Sequence, residues 1–192
     1  LVELPPEEAR TVFSLPADVR DWKVEWAQRD LTEKGLSQNN IQPVLYRPFD
    51  IRYTYWTGKA RGFIGWPFEK TMRNLMSGNN LALITSRLTK GESFAHTQVS
   101  RLPVEVICMS SKTSNNGFVF PLYLYLSAKT DLFGDSASGT RRPNLAPEFI
   151  ADFSARLQLV FVPDGCGDLH KTFGPEDVFH YAYAVFHSPT YR

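Results

Sequence analysis

Cysteine is scarce: two residues in 192, Cys108 in an apolar run and Cys166 in a glycine loop. A pair so placed makes no disulfide framework and agrees with a reducing compartment. Long hydrophobic runs are missing altogether. None approaches the roughly 18 apolar residues of a membrane span, and no signal-peptide pattern opens the chain, so the expectation is a cytoplasmic protein with no membrane partner. Net charge is small, +1, and 43% apolar with 21% charged residues is the balance of a folded domain rather than a disordered tail. The chain starts on Leu1 rather than Met and ends directly after a helical pattern, and we read it as a segment of a longer polypeptide.

Catalytic patterns are equally thin. An amino-methyltransferase holds its target amine in a short Asn/Asp-Pro-Pro-aromatic loop, but Pro5-Pro6 lies between Leu4 and Glu7. A metal nuclease needs an acid well upstream of a paired acid and lysine; Asp21-Trp22-Lys23 sits in a helical pattern, with Asp18 too near to act separately. Cys166 and His170 lack a second pair at zinc spacing, and His180 and His187 read as packed or exposed helix residues. TGKARG fails as a phosphate loop because Tyr53 stands where that motif needs glycine. No nucleophile elbow accompanies any Ser-His-Asp combination. The expectation is a chain with no catalysis, metal or cofactor of its own.

What is present is an uneven distribution of charge. Residues 1–41 carry five Lys/Arg against eight Asp/Glu, residues 42–116 ten against four, and residues 117–192 six against eight. A basic middle between acidic flanks suggests an anionic partner for the middle, or else a solvated basic face. Within it, residues 41–62, IQPVLYRPFDIRYTYWTGKARG, gather Tyr46, Phe49, Tyr53, Tyr55 and Trp56 among Arg47, Arg52, Lys59 and Arg61, with Asp50 as the one acid. Flat rings beside fixed positive charge suit a phosphate backbone and exposed bases. The same alternation also describes an ordinary strand with arginines on its solvated edge.

Periodicity divides the chain further. Residues 1–17, interrupted by Pro5, Pro6 and Pro16, read as a connector, and residues 18–192 as the domain proper. Helices are expected over about 18–34, with Trp22 and Trp26 on one stripe, and over 68–77, 147–157 and 175–187. Strands are expected over about 44–56, 81–87, 103–109 and 117–125, the last two joined by a turn at Asn116-Gly117 and the last demoted by Pro121 to an edge or a bulge. Residues 127–146 read as an exposed loop in which Arg141 and Arg142 can reach a phosphate. The fold class is α+β: a twisted, mostly antiparallel or mixed sheet with helices packed on it, the last through Phe179, Tyr181 and Phe186.

DWKVEWAQRDLTEKG, then IQPVLYRPFDIRYTYWTGKARGF, VFPLYLY and FGPEDVFHYAYAVFHSPTYR, in this order and spacing, resemble the C-terminal specificity region of Type ISP single-chain bacterial restriction-modification enzymes. Related regions occur in Type IIG adenine methyltransferases. The resemblance runs from about Trp22 onward and implies a target recognition domain that clamps double-stranded DNA against a methyltransferase domain of the same polypeptide. S-adenosylmethionine, ATP and Mg would belong to other modules of the parent.

On that reading the DNA-contacting residues are Arg47, Arg52, Trp56, Lys59, Arg61, Arg87, Lys90, Ser93, His96, Gln98, Arg101, Lys112 and Asn115. Segments 87–101 and 110–116 supply most base readout, and residues 41–62 supply grip and scaffold. Arg47, Asp50 and Arg52 fit a structural role as well, as an Arg-Asp pair holding a turn. The competing reading is a protein-docking or catalytic module whose basic block holds an acidic partner.

Overall fold

Short apolar runs separated by polar turns break this chain into many small elements. The computed structural model describes residues 1–91, 93–110, 112–125 and 141–191. In chain order these are α1 (Pro6–Val12), α2 (Val24–Lys34), β1 (Ile41–Arg47), β2 (Asp50–Tyr55), α3 (Glu69–Met76), β3 (Ala82–Thr85), β4 (Thr97–Ser100), β5 (Phe118–Pro121), β6 (Tyr123–Tyr125), β7 (Arg141–Pro143), α4 (Pro147–Leu157), β8 (Val160–Phe161), β9 (Thr172–Phe173) and α5 (Pro175–His187). The class is mixed α+β, as expected. Strand pairing is antiparallel in β1–β2, β4–β3–β5 and β6–β7 and parallel in β8–β9. Among the described residues the single sheet expected from the sequence is instead four small ones.

Several boundaries differ for identifiable reasons. Residues 44–56 are not one strand, because Pro48 and Phe49 turn the chain back on itself between β1 and β2. β4 lies inside what read as a recognition loop: its apolar Val99 is 40% exposed while Thr97 and Ser100 are buried, inverting the usual pattern. Residues 103–109 form no strand. Pro103 and Glu105 make two backbone bonds to Leu45, a single parallel bridge onto the hairpin edge, and the Glu105 carboxylate then bends the chain by accepting the Ile107 N–H. The predicted strand 117–125 changes partner at Leu122, pairing with β3 before it and β7 after it, which is the interruption Pro121 signals.

The helices follow their polar and apolar spacing. α2 begins at Val24 rather than residue 18, because the Asp18 carboxylate accepts the Val24 N–H at 3.0 Å. Trp22 therefore precedes the helix, its indole donating to the Phe63 carbonyl. The opening segment is also folded: Ala9 of α1 is fully buried, and the Gln28 amide donates to the carbonyls of Leu1 and Leu4 at 2.7 and 2.8 Å. α4 and α5 have the expected limits, both with proline in the first turn. Phe179 is buried and Phe186 lies 6.1 Å from Phe94, but Tyr181, expected in the core, is exposed.

Two apolar clusters hold the centre. Met72 and Leu75 of α3 meet Ala82 and Ile84 of β3, with Val104 and Cys108, while Leu122 and Tyr123 meet Phe179 of α5. Asn80 joins these parts. Its amide donates to the carbonyls of Asn74 and Tyr123 and accepts from the N–H groups of Leu81 and Tyr123, so one buried side chain imitates a strand neighbour. Among the described residues no helix is long and apolar enough to cross a membrane.

Candidate nucleic-acid interface

The aromatic and basic stretch is a hairpin with two unlike faces. Alternation puts Ile41, Pro43, Leu45, Ile51 and Tyr53 on one side and Val44, Tyr46, Arg52 and Thr54 on the other. Arg47 and Arg52 stand with their guanidinium carbons 4.0 and 3.8 Å from the Tyr46 ring centre. Each is also ion-paired, Arg47 to Glu105 across to the next segment and Arg52 to Asp50 at 3.0 Å. The Arg52–Asp50 pair sits beside the turn, the structural role the sequence left open, while Arg47 ties the hairpin to Glu105. At its tip, Pro48 followed by Phe49 with φ 65° has the signature of a type II turn. That second position favours glycine or asparagine, and a left-handed phenylalanine costs about 1–2 kcal/mol. Its ring is 101% exposed.

Lys59 and Arg61 belong to a second place, a loop folded over α2. Buried Asp30 orders it, accepting from the Thr57 hydroxyl at 2.6 Å and the Phe63 N–H at 2.8 Å. Glycine is required at position 62 because a Cβ there would collide with the Asp30 carboxylate. Lys59 pairs with Glu33, and the Arg61 guanidinium lies 5.6 Å from the Trp26 ring and 5.7 Å from Trp66. Trp56 is half-buried and packs against the core.

A third group forms at one end of the β4–β3–β5 sheet. Thr85 pairs with both Thr97 and Phe118, so the loop leaving β3 and the loop entering β5 arrive at the same edge. Lys90 ties them together by donating to the carbonyls of Thr113 and Ser114, both at 3.0 Å. Arg87 lies 5.3 Å from the Phe118 ring, and Lys112 and Ser93 are exposed. His96 and Asn115 are only 4% and 1% exposed, and the Asn115 amide sits 3.2 Å from His96 Nε2. Expected to contact DNA, these two instead form a buried polar contact under the loops. Gln98 is half-buried in the middle of edge strand β4.

Arg101 does not join that group. It follows Ser100, which pairs with Ala82 at the other end of the sheet, roughly 10 Å from Thr97 at about 3.3 Å per residue. There it donates to the Asn79 side chain at 2.6 Å. Arg141 converges on the same residue, donating to the Asn79 carbonyl and to Asp164 and stacking 3.8 Å from the Tyr123 ring centre. The loop expected to offer Arg141 to a phosphate thus has that side chain tied down. Arg142 is exposed, and residues 127–140 lie outside the described residues.

Between the hairpin and the sheet is a largely apolar cavity of about 660 Å³, lined by Val44, Tyr46, Trp56, Trp66, Phe118 and Phe120 among others. Sequence reasoning counted Phe49 among the rings of the stretch without placing it at a tip, and did not single out the cavity-lining Trp66, Phe118 and Phe120. Pro48-Phe49 was the available signal for a tip, since proline cannot continue a ladder and sets the first turn position. No grouping suited to a metal occurs among the described residues. Both thiols are pushed up to about 11, Cys108 by burial and surface-exposed Cys166 by partial desolvation and then by its neighbour Asp177, so neither is a thiolate at neutral pH.

No curated protein matches the chain. Among solved structures it is similar to the cryo-EM structure of a DrdV–DNA complex, with a TM-score of 0.56 and 21% identity. The match covers 98% of this chain and 16% of that one. Likeness at this level is one of fold. The sequence model of the Type ISP C-terminal specificity domain matches residues 1–192. With every residue inside that match, the chain belongs to the Type ISP C-terminal specificity domain family.

Proposed function

We propose that this specificity domain reads double-stranded DNA by sequence and holds it for an adenine methyltransferase domain of the same polypeptide. The observation that carries the reading is the family match over the whole length, and the basic middle block supports it. The exposed cations at the β4–β3–β5 sheet end, Arg87 and Lys112, with Lys59 and Arg61 over α2, are the groups for phosphates and guanine edges. Gln98 and Arg101 read from other positions on the sheet, and Ser93 assists from its loop. Arg52 supplies grip and support.

The nuclease, motor and methyltransferase activities belong to other modules of the parent, together with S-adenosylmethionine, ATP and Mg. The setting is the bacterial cytoplasm. Exposed Tyr181 on α5 suits packing against the neighbouring methyltransferase. A mobility-shift titration at two salt concentrations tests the reading. Affinity should fall with salt in proportion to the phosphates contacted, with a slope of about 0.9 per phosphate in a log–log plot. Salt-independent binding, or none, would leave the acidic-protein partner as the better account of the basic block.

A further inference from the structure

The most exposed large apolar side chain of the described residues is held where a phenylalanine is least comfortable. Phe49 occupies the left-handed second position of the hairpin turn, φ 65°, with its ring entirely in solvent. Neither the turn nor the core gains from it: glycine or asparagine suits the backbone better, and the ring covers no apolar neighbour. The hairpin beneath is tied to the next segment by the Arg47–Glu105 pair and by the bonds of Leu45 to Pro103 and Glu105, while Arg52 pairs with Asp50 along its own strand. A two-stranded ribbon tipped by a bare ring is a protrusion, shaped to enter something narrow rather than to lie on a flat face.

We infer that Phe49 is a wedge that enters between two stacked base pairs when the domain binds duplex DNA. This rests on the DNA-reading function proposed above. A two-stranded ribbon fits a DNA groove, and apolar side chains that unstack a base step are a general means of bending DNA around a protein. The hairpin lies within the basic block, which brings it to a phosphate surface. Phe49 carries no charge, so its ring contributes by stacking and not by displacing counterions. That difference gives the wedge a signature distinct from the cationic contacts.

The test uses the 192-residue chain and a duplex enriched from a random pool by the unaltered chain, with 2-aminopurine placed at each position in turn. Emission should rise on binding at one step, where the base loses its stacking neighbour. Phe49→Ala and Phe49→Asn should both abolish the rise and weaken binding about 10- to 100-fold, the scale of a lost base–aromatic stack. The salt dependence should stay unchanged in both. Asparagine accepts the left-handed backbone, so its variant should melt no lower than the parent chain and a folding defect is excluded. If both variants bind with the parent affinity and the same emission rise, the ring serves a protein contact instead and the inference is overturned. If the unaltered chain shows no salt-dependent duplex binding, the DNA reading fails first and the wedge with it.

Discussion

Asn80 is the side chain on which the arrangement of the sheet depends most, and replacing it with alanine gives a worked test. Its four hydrogen bonds serve two N–H groups, of Leu81 and Tyr123, and two carbonyls, of Asn74 and Tyr123. Tyr123 is 1% exposed and Asn80 3%, so water reaches these groups poorly once the amide is gone. At about 1 kcal/mol for each net hydrogen bond, Asn80→Ala should cost roughly 3–5 kcal/mol, a large part of the 5–15 kcal/mol typical of a folded domain. In urea, with a slope near 2 kcal/mol per molar, the midpoint should fall by about 2 M at unchanged slope. Asn80→Asp sharpens the test. The introduced carboxylate keeps both accepted bonds but faces the carbonyls of Asn74 and Tyr123 where it needs donors, and burial together with those carbonyls raises its folded pKa above the unfolded value. Stability relative to the parent chain should therefore be best at acid pH and decline as pH rises through that folded pKa. A loss under about 1 kcal/mol for alanine, or a pH trend of the opposite sign for aspartate, would refute this account of how β6 is held to α3 and β3.

Four further outcomes follow from the same structure. Replacing Lys59 and Arg61 together with alanine should weaken binding to all duplexes about equally and flatten the salt dependence by up to about two phosphate equivalents; unchanged titrations would take the loop off the DNA. Truncating Lys112, Gln98 or Arg101 should relax discrimination at one base position by roughly 1–3 kcal/mol, with Lys112 and Arg101 affecting different positions because they stand at opposite ends of the sheet, as a base-substitution scan would reveal. Arg52→Ala should lower affinity or the melting temperature without changing the preferred sequence, since its guanidinium supports Tyr46 and Asp50. The N–H groups of Lys171, Thr172 and His170 hold the Asp168 carboxyl far below its ordinary range, so its contribution is present above about pH 4 and lost as pH falls; Asp168→Asn should flatten the acid limb of a urea-midpoint profile.

The long helices were legible in the sequence because their signals are local. α4 and α5 each carry proline in the first turn and an apolar stripe after it, and both fall at the expected limits. Strands were legible where short apolar or aromatic runs lay between turn residues, as in β2, β3 and β5. β4 hid because its buried side chains are Thr97 and Ser100, and the division of one expected sheet into four depends on partners distant in the chain, such as Tyr123 with Pro143. The basic stretch was found, but its arginines could not be sorted by sequence. Their acid partners lie at separations from two residues, for Arg52 with Asp50, to 58, for Arg47 with Glu105. The burial of His96 against Asn115 is equally a tertiary matter, since both residues stand in polar segments. Phe49 was read as one more ring in an alternating strand, and only the turn at Pro48 turns it outward.

A specificity domain differs from a merely basic surface in reading DNA by sequence rather than only adhering to it. The most direct measurement is repeated selection of a random duplex pool by the 192-residue chain, with affinity for the starting and final pools measured at two salt concentrations. The pool should converge on one short motif, with the final pool bound at least about 1,000-fold more tightly than the starting pool at the same salt. Binding that falls with salt while the pool stays random would contradict sequence reading, leaving a basic surface that grips phosphates and reads nothing.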